Sequence, residues 1–196
     1  MTDVWRLYER FAAEYDRDRS RVLMERGYLS DMTVRLHDGA SVLDLGCGGG
    51  EPIAQFFVNR GYKVTGVDAA PAMIELCRKR SAHAEWIQAD MRTLDLGRRF
   101  GAIVAWDSFF HLDAEEQRAT FAIFEAHIAP RGLLLFTSGP GAGTAIGKLC
   151  GEELFHASLA PQEYETLLAG SGFTVIRHEP HDPDCGFHTV WLAQYF

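Results

Sequence analysis

The apolar positions of this chain change their period twice. Up to Asp38, Trp5, Tyr8, Phe11, Ala12 and Tyr15 recur at the spacing of one helical face, and Leu29, Met32 and Leu36 form a second stripe. Beyond Asp38-Gly39 the pattern becomes short apolar runs of about five residues: Ser41 to Leu45, Lys63 to Val67, Glu85 to Ala89, Ala102 to Trp106 and Leu133 to Thr137. Helical stretches, Pro52 to Arg60, Pro71 to Arg80 and Ala114 to Ile128, lie between them. The runs are continuous rather than alternating, as strands covered on both faces require. Strand–helix alternation of this kind predicts an α/β fold built on a doubly wound, mostly parallel sheet. The rhythm ends after Thr137. A glycine-rich segment, Ser138 to Gly143, opens a longer excursion, and Pro161 to Ala169 has helical spacing. Phe173 to Arg177 and Thr189 to Tyr195 are separated by about 11 residues, too few for a crossover helix, so these two runs should pair antiparallel.

No repeat or low-complexity linker divides the chain, which reads as one domain over 1–196. Its parts are a helical extension or lid (1–38), a central core (39–138) and a closing segment (139–196). The 47% hydrophobic and 23% charged fractions exclude a disordered chain and allow a sizeable core. A net charge of −8 repels phosphate backbones and anionic lipid, and the basic stretches Arg17 to Arg21 and Arg78 to Arg80 are short. Neither nucleic acid nor membrane is an expected partner. No apolar run approaches the ~20 residues of a membrane span, and Met1 to Arg6 lack the layout of a secretory signal. Cys47, Cys77, Cys150 and Cys185 form no C-x-x-C pair, so neither a disulfide framework nor a zinc site is expected. Free thiols suit the cytoplasm.

The chemistry concentrates where strands end. Val42-Leu43-Asp44-Leu45-Gly46-Cys47-Gly48-Gly49-Gly50-Glu51-Pro52 takes a buried strand through four glycines into a helix. Glycine permits positive φ and close approach of a ligand to the backbone. Gly46 and Gly48 fit the start of a dinucleotide fingerprint, but Glu51 stands where its last small residue belongs and would oppose a pyrophosphate while tolerating a cation. The next strand ends at Asp68, placed to accept both hydroxyls of a ribose or to cap the following helix. The third closes with Ala89-Asp90-Met91, a carboxylate for an exocyclic amine beside a thioether for a purine face. The fourth closes with Trp106-Asp107-Ser108-Phe109-Phe110-His111. Ligands of open α/β sheets bind at this edge, so the four carboxylates should share one site.

Asp44, Gly46, Gly48 and Gly50 form a D-x-G-x-G-x-G signature, and together with Asp68, Ala89-Asp90-Met91 and Asp107 the chain resembles class I S-adenosylmethionine-dependent methyltransferases of the small-molecule type from about Tyr15-Asp16 to its end. The resemblance implies a Rossmann-like, seven-stranded sheet with an antiparallel last strand. It implies S-adenosylmethionine as methyl donor and S-adenosylhomocysteine as product. It places the methionine part on Gly46, Cys47, Gly48 and Gly50, with Asp44 holding the ammonium. The ribose falls to Asp68 beside Ala69 and Met73, the adenine to Asp90 and Met91, and Asp107 lies beside the methionine end. The donor is a sulfonium cation and the product is neutral at sulfur, so a carboxylate-rich pocket discriminates between them.

The acceptor side is less defined. His111 is the candidate general base, since neutral imidazole works near pH 7; a capping role is the alternative. Tyr8 and Tyr15 either close over the site as a lid or pack as core. Phe109 and Phe110, next to Trp106, either line an acceptor pocket or belong to the core. His178, His181, Asp182, Asp184, Cys185 and His188 crowd the turn between the last two strands, without standard zinc spacing; the turn is expected to be solvated or to reach the acceptor pocket, and no metal is expected. There is no N/D-P-P-Y/F run after the fourth strand and no Pro-Cys pair, which leaves a small-molecule acceptor. The chain is expected to act as a monomer or homodimer. Two other classes stay open: a catalytically silent binder of the donor, and an NAD-dependent oxidoreductase.

Overall fold

The computed structural model describes residues 3–196. Three helices lead: α1 (Trp5–Arg10), α2 (Ala12–Asp18) and α3 (Arg26–Arg35). The alternating core follows as β1 (Ser41–Leu45), α4 (Ile53–Val58), β2 (Lys63–Asp68), α5 (Pro71–Arg80), β3 (Glu85–Gln88), β4 (Phe100–Ala105), α6 (Ala114–His127) and β5 (Ile128–Ser138). The chain closes with β6 (Gly143–Leu149), β7 (Glu152–Ser158), α7 (Pro161–Gly170), β8 (Phe173–Asp182) and β9 (His188–Tyr195). The seven-stranded sheet has the order β3-β2-β1-β4-β5-β9-β8. Neighbours from β3 to β5 are parallel, and β9 runs antiparallel to both β5 and β8. The sheet is the one the apolar runs imply.

Side-chain alternation divides the core. From β1, Val42 joins Tyr28, Leu29 and Met32 of α3 and the buried face of α4. Leu43 and Leu45 point the other way, toward Phe121 and Phe124 of α6 and Tyr164 and Leu168 of α7. The extension is therefore two things: α3 is a core helix, while α1 and α2 pack over the C-terminal edge of the sheet. The Asp113–Glu116 capping box starts α6 where the sequence places it, each side chain bonding the other's backbone N–H.

Two segments differ from the sequence reading. The glycine-rich excursion contains the β6–β7 hairpin, reversed at Cys150 and Gly151, both with positive φ. The region after Arg177 is less irregular than expected, because β8 continues to Asp182 before a short 3-10 turn over Pro183–Cys185. The buried Asp182 accepts a hydrogen bond from the Tyr28 hydroxyl, and the His178 ring stacks on Trp191 at 3.6 Å. The turn is thus solvated, as Pro180, His181, Pro183, Asp184, Gly186 and Phe187 are exposed, but it is anchored by the buried Asp182 and Cys185. Among the described residues no helix is long and apolar enough to cross a membrane.

Candidate active site

The loop after β1 is built for close approach. Gly46 has φ +75°, and a Cβ there would lie 2.2 Å from the Ser108 Cβ, so only glycine lets the loop cross the end of β4. The Gly46 and Cys47 amides both donate to the Val67 carbonyl, at 2.7 and 3.0 Å, fixing the loop across β2. The Cys47 side chain turns away into the core, 4.0 Å from the Cys77 sulfur. Gly50 seats against Trp86. Glu51 is paired with Arg21 at 3.2 Å and Arg80 at 3.7 Å, so its charge is answered within the protein.

Beside this loop, over the ends of β1 to β4, lies a cleft of about 730 Å³ including its open mouth. Asp68, Asp90 and Asp107 all line it, so three of the four strand-end carboxylates share one space. The fourth, Asp44, is buried behind the loop. Asp68 accepts from the Gly48 and Ala70 amides, each at 2.9 Å, which ties the loop to β2 and leaves a lone pair on each oxygen. Burial raises its pKa, and those backbone bonds oppose the rise. Ala69, Met73, Ala89 and Met91 give the cleft an apolar lining. Asp90 caps the turn over Met91–Thr93 and is gripped by Arg92, whose Nε lies 2.9 Å from both carboxylate oxygens. Burial pushes its pKa up, but the Arg92 bonds outweigh this and hold it below the usual value.

Tyr8 and Tyr15 enter from α1 and α2, their rings edge to face at 5.1 Å, and both line the cleft rather than the core alone. The Tyr8 hydroxyl is 2.9 Å from Nε2 of His111. Nδ1 of His111 lies 3.0 Å from the Phe155 carbonyl, which can only accept. Nδ1 therefore carries the proton, and the Nε2 lone pair receives the Tyr8 O–H. Burial lowers the His111 pKa to about 4, helped by neighbouring His156, so the ring is neutral near pH 7. The β6–β7 hairpin thus fixes the tautomer of His111, a contribution the sequence did not signal.

The aromatic residues after β4 part company. Phe109 is fully buried among Phe121, Phe124, Phe136 and Tyr164 and cannot touch a ligand, so its acceptor-pocket reading is replaced by a core role. Phe110 packs edge to face on His156 at 5.0 Å, and both line a neighbouring cavity bounded by the Ser138–Ala145 segment, outside the main cleft.

Sequence reasoning missed several charged neighbours of the site. Arg19 bonds the Tyr15 hydroxyl and sits in the field of Asp107 and Glu25. Glu25 is only 2% exposed, and burial raises its pKa. His188 reaches from β9 to Asp107. Asp44 shares this neighbourhood: burial, with Asp68 and Glu25 adding and Arg19 opposing, raises its pKa to about 7. Because that folded value lies above the ordinary 3.8, the stability linked to Asp44 is complete below about pH 4 and is lost as pH rises through about 7. Asp44→Asn should therefore unfold at higher denaturant than the natural protein at pH 8, by roughly 2–4 kcal/mol, with the difference fading by pH 4–5. A pH series of urea melts measures it, and a gap independent of pH would contradict the assignment.

Residues 42–132 match the family model for a methyltransferase domain. A dTDP-3-amino-3,6-dideoxy-alpha-D-glucopyranose N,N-dimethyltransferase of Streptomyces fradiae is 31% identical over 165 residues, 74% of this chain and 64% of that enzyme. A trans-aconitate 2-methyltransferase of Paracidovorax citrulli is 36% identical over 86 residues, 43% of this chain and 30% of that enzyme. The chain thus spans less than two thirds of these relatives. Among solved structures, a SAM-bound amino pentose methyltransferase of Micromonospora echinaspora superposes with TM-score 0.72 at 21% identity, covering 94% of this chain and 95% of that one. The CcbJ methyltransferase of Streptomyces caelestis gives TM-score 0.76 at 16% identity, with 99% of each chain covered. At these identities the structures establish the fold. Residues 42–132 match a methyltransferase domain, and the chain as a whole has the fold of S-adenosylmethionine-dependent methyltransferases.

Proposed function

We propose that this protein transfers a methyl group from S-adenosylmethionine to a small-molecule acceptor by in-line displacement and releases S-adenosylhomocysteine. The observation carrying this reading is the convergence of Asp68, Asp90, Asp107, Gly46 and the Tyr8–His111 pair on one cleft. The residues present fit the donor: the cleft is of ligand size, has an apolar middle, and offers carboxylates at several points. When bound, the donor supplies an electrophilic methyl on a positively charged sulfur. Asp68, with a spare lone pair on each oxygen, takes the ribose hydroxyls next to Ala69 and Met73. Met91 lies against the adenine, with Asp90 reading its exocyclic amine. The loop from Gly46 through Cys47 and Gly48 to Gly50 follows the methionine part, and Asp44, buried behind the loop, helps hold the ammonium from there without lining the cleft. Tyr8, Tyr15 and Phe110 border the acceptor's approach, the last through the neighbouring cavity.

His111 is the base of this scheme. The Nε2 lone pair now engaged by Tyr8 is the one an acceptor O–H or N–H would use, and the Phe155 carbonyl keeps it available. Alignment and water exclusion carry most of the rate, a regime worth about 7–11 kcal/mol. In domain terms, α1 and α2 act as lid, 39–138 as donor core and 139–196 as acceptor side. The relatives' small-molecule acceptors support the acceptor class. Four free thiols support a cytoplasmic setting, with the chain working as monomer or homodimer.

Labelled donor incubated with a panel of small amines, alcohols and carboxylic acids should deliver label to the small-molecule fraction. Donor binding without transfer across a broad metabolite extract would favour the silent binder, and a melting shift with NAD(H) instead of the donor would favour the oxidoreductase. His111→Asn should lower kcat by roughly 100- to 1,000-fold with the donor Kd unchanged. An unaltered kcat in that variant would remove the base assignment.

A further inference from the structure

His188 lies outside the scheme above, yet its surroundings determine its charge. Its Nδ1 is 2.7 Å from the Cys185 carbonyl and its Nε2 is 2.8 Å from Oδ1 of Asp107. A carbonyl and a carboxylate both only accept, so satisfying both requires a proton on each ring nitrogen. The imidazolium stacks on Trp106, with centroids 5.3 Å apart and planes at 29°, an arrangement that favours a cation over an aromatic face. Its partner, Asp107, has a left-handed backbone at φ +51° and its amide held by the Thr137 hydroxyl at 2.9 Å. A non-glycine residue is kept in that conformation only by its surroundings.

We propose that His188 is a positioning residue of the transfer site: as an imidazolium it fixes the Asp107 carboxylate and offsets one negative charge there, so that its deprotonation changes how strongly the site prefers a sulfonium donor over a neutral-sulfur product. This rests on reading the cleft as the donor site. The charges facing His188 are Asp107 after β4, Glu25 at the start of α3 and, through these two, Arg19 after α2. The buried Cys185 thiol on the adjoining turn stays neutral, its pKa pushed up to about 12 by burial. The hydrogen bond to Asp107 raises the His188 pKa against the opposing effect of burial. The cation therefore persists to higher pH than in a free imidazole. Losing it leaves the acidic centre one unit more negative, which helps a cation at sulfur and does nothing comparable for its neutral counterpart.

The test has two parts. In ¹⁵N-histidine-labelled protein without ligand, the signals absent from His188→Gln should show both nitrogens protonated at pH 7; a neutral-tautomer pattern there overturns the proposal. Calorimetry then compares S-adenosylmethionine with S-adenosylhomocysteine from pH 6.5 to 9. The ratio of product Kd to donor Kd should rise roughly 3- to 10-fold in the natural protein. In His188→Gln, which keeps a donor toward Asp107 but no charge, it should lack that step and sit near the alkaline value. Asp44 titrates in both proteins and cancels in the comparison. A ratio that follows pH identically in both overturns the proposal, as does a variant whose two affinities fall in parallel. If neither ligand binds the natural protein at any pH, the donor-site reading fails and this proposal with it, an outcome distinguished by the ¹⁵N result, which needs no ligand.

Discussion

Replacing Asp68 by alanine is expected to weaken S-adenosylmethionine binding by about 100- to 1,000-fold. The carboxylate does two jobs. It offers the lone pairs proposed for the ribose hydroxyls, and charge-assisted bonds of that kind contribute about 1.5–3 kcal/mol each. It also accepts from the Gly48 and Ala70 amides, so its removal frees the glycine loop at the same time. The loop's other anchors, the Gly46 and Cys47 bonds to Val67, remain, and the fold should survive with a loss of roughly 1–3 kcal/mol for the unpaired amides. Calorimetry gives the affinity and a thermal melt gives the stability. Unchanged donor affinity in a folded variant would remove Asp68 from the site.

Phe109→Ala should do the reverse: cost roughly 3–5 kcal/mol of stability and leave donor affinity within about threefold wherever the protein is folded. Phe109 is the centre of an aromatic cluster in which Phe136 and Phe124 lie 5.4 and 5.5 Å from its ring and Phe121 lies 6.0 Å away. Against a total stability of about 5–15 kcal/mol for an ordinary domain, a cavity of that size is a large loss. Urea denaturation measures it. A variant as stable as the natural protein but with altered acceptor KM would restore the pocket role that the buried position denies.

Phe109 shows where the sequence was ambiguous. Two adjacent aromatics after a strand, Phe109 and Phe110, look alike as text; a single 3-10 turn sends one into the core and the other toward a cavity. By contrast, the glycine loop and the strand-end carboxylates were legible because their spacing is set by the parallel sheet, which needs no knowledge of distant residues. Asp68, Asp90 and Asp107 had to meet once β1, β2, β3 and β4 ended on one edge. The β6–β7 hairpin was invisible: its exposed first strand, Gly143–Leu149, has no alternating apolar pattern and contains Gly147. Its effect on His111, and the reach of His188 to Asp107, depend on contacts 44 and 81 residues apart in sequence. Local periodicity carries no record of such pairs. Glu51 is visible in the sequence as a charge at the loop, but its arginine partners are not, and one of them, Arg21, arrives from the chain 30 residues earlier.

The most direct measurement is a crystal structure of the protein with S-adenosylhomocysteine. The ribose hydroxyls should lie on the two Asp68 oxygens, the adenine beside Met91, and the sulfur open toward the space in front of Tyr8 and His111. A nucleoside bound away from Asp68, or soaked crystals with the cleft filled only by solvent, would contradict the donor-site assignment.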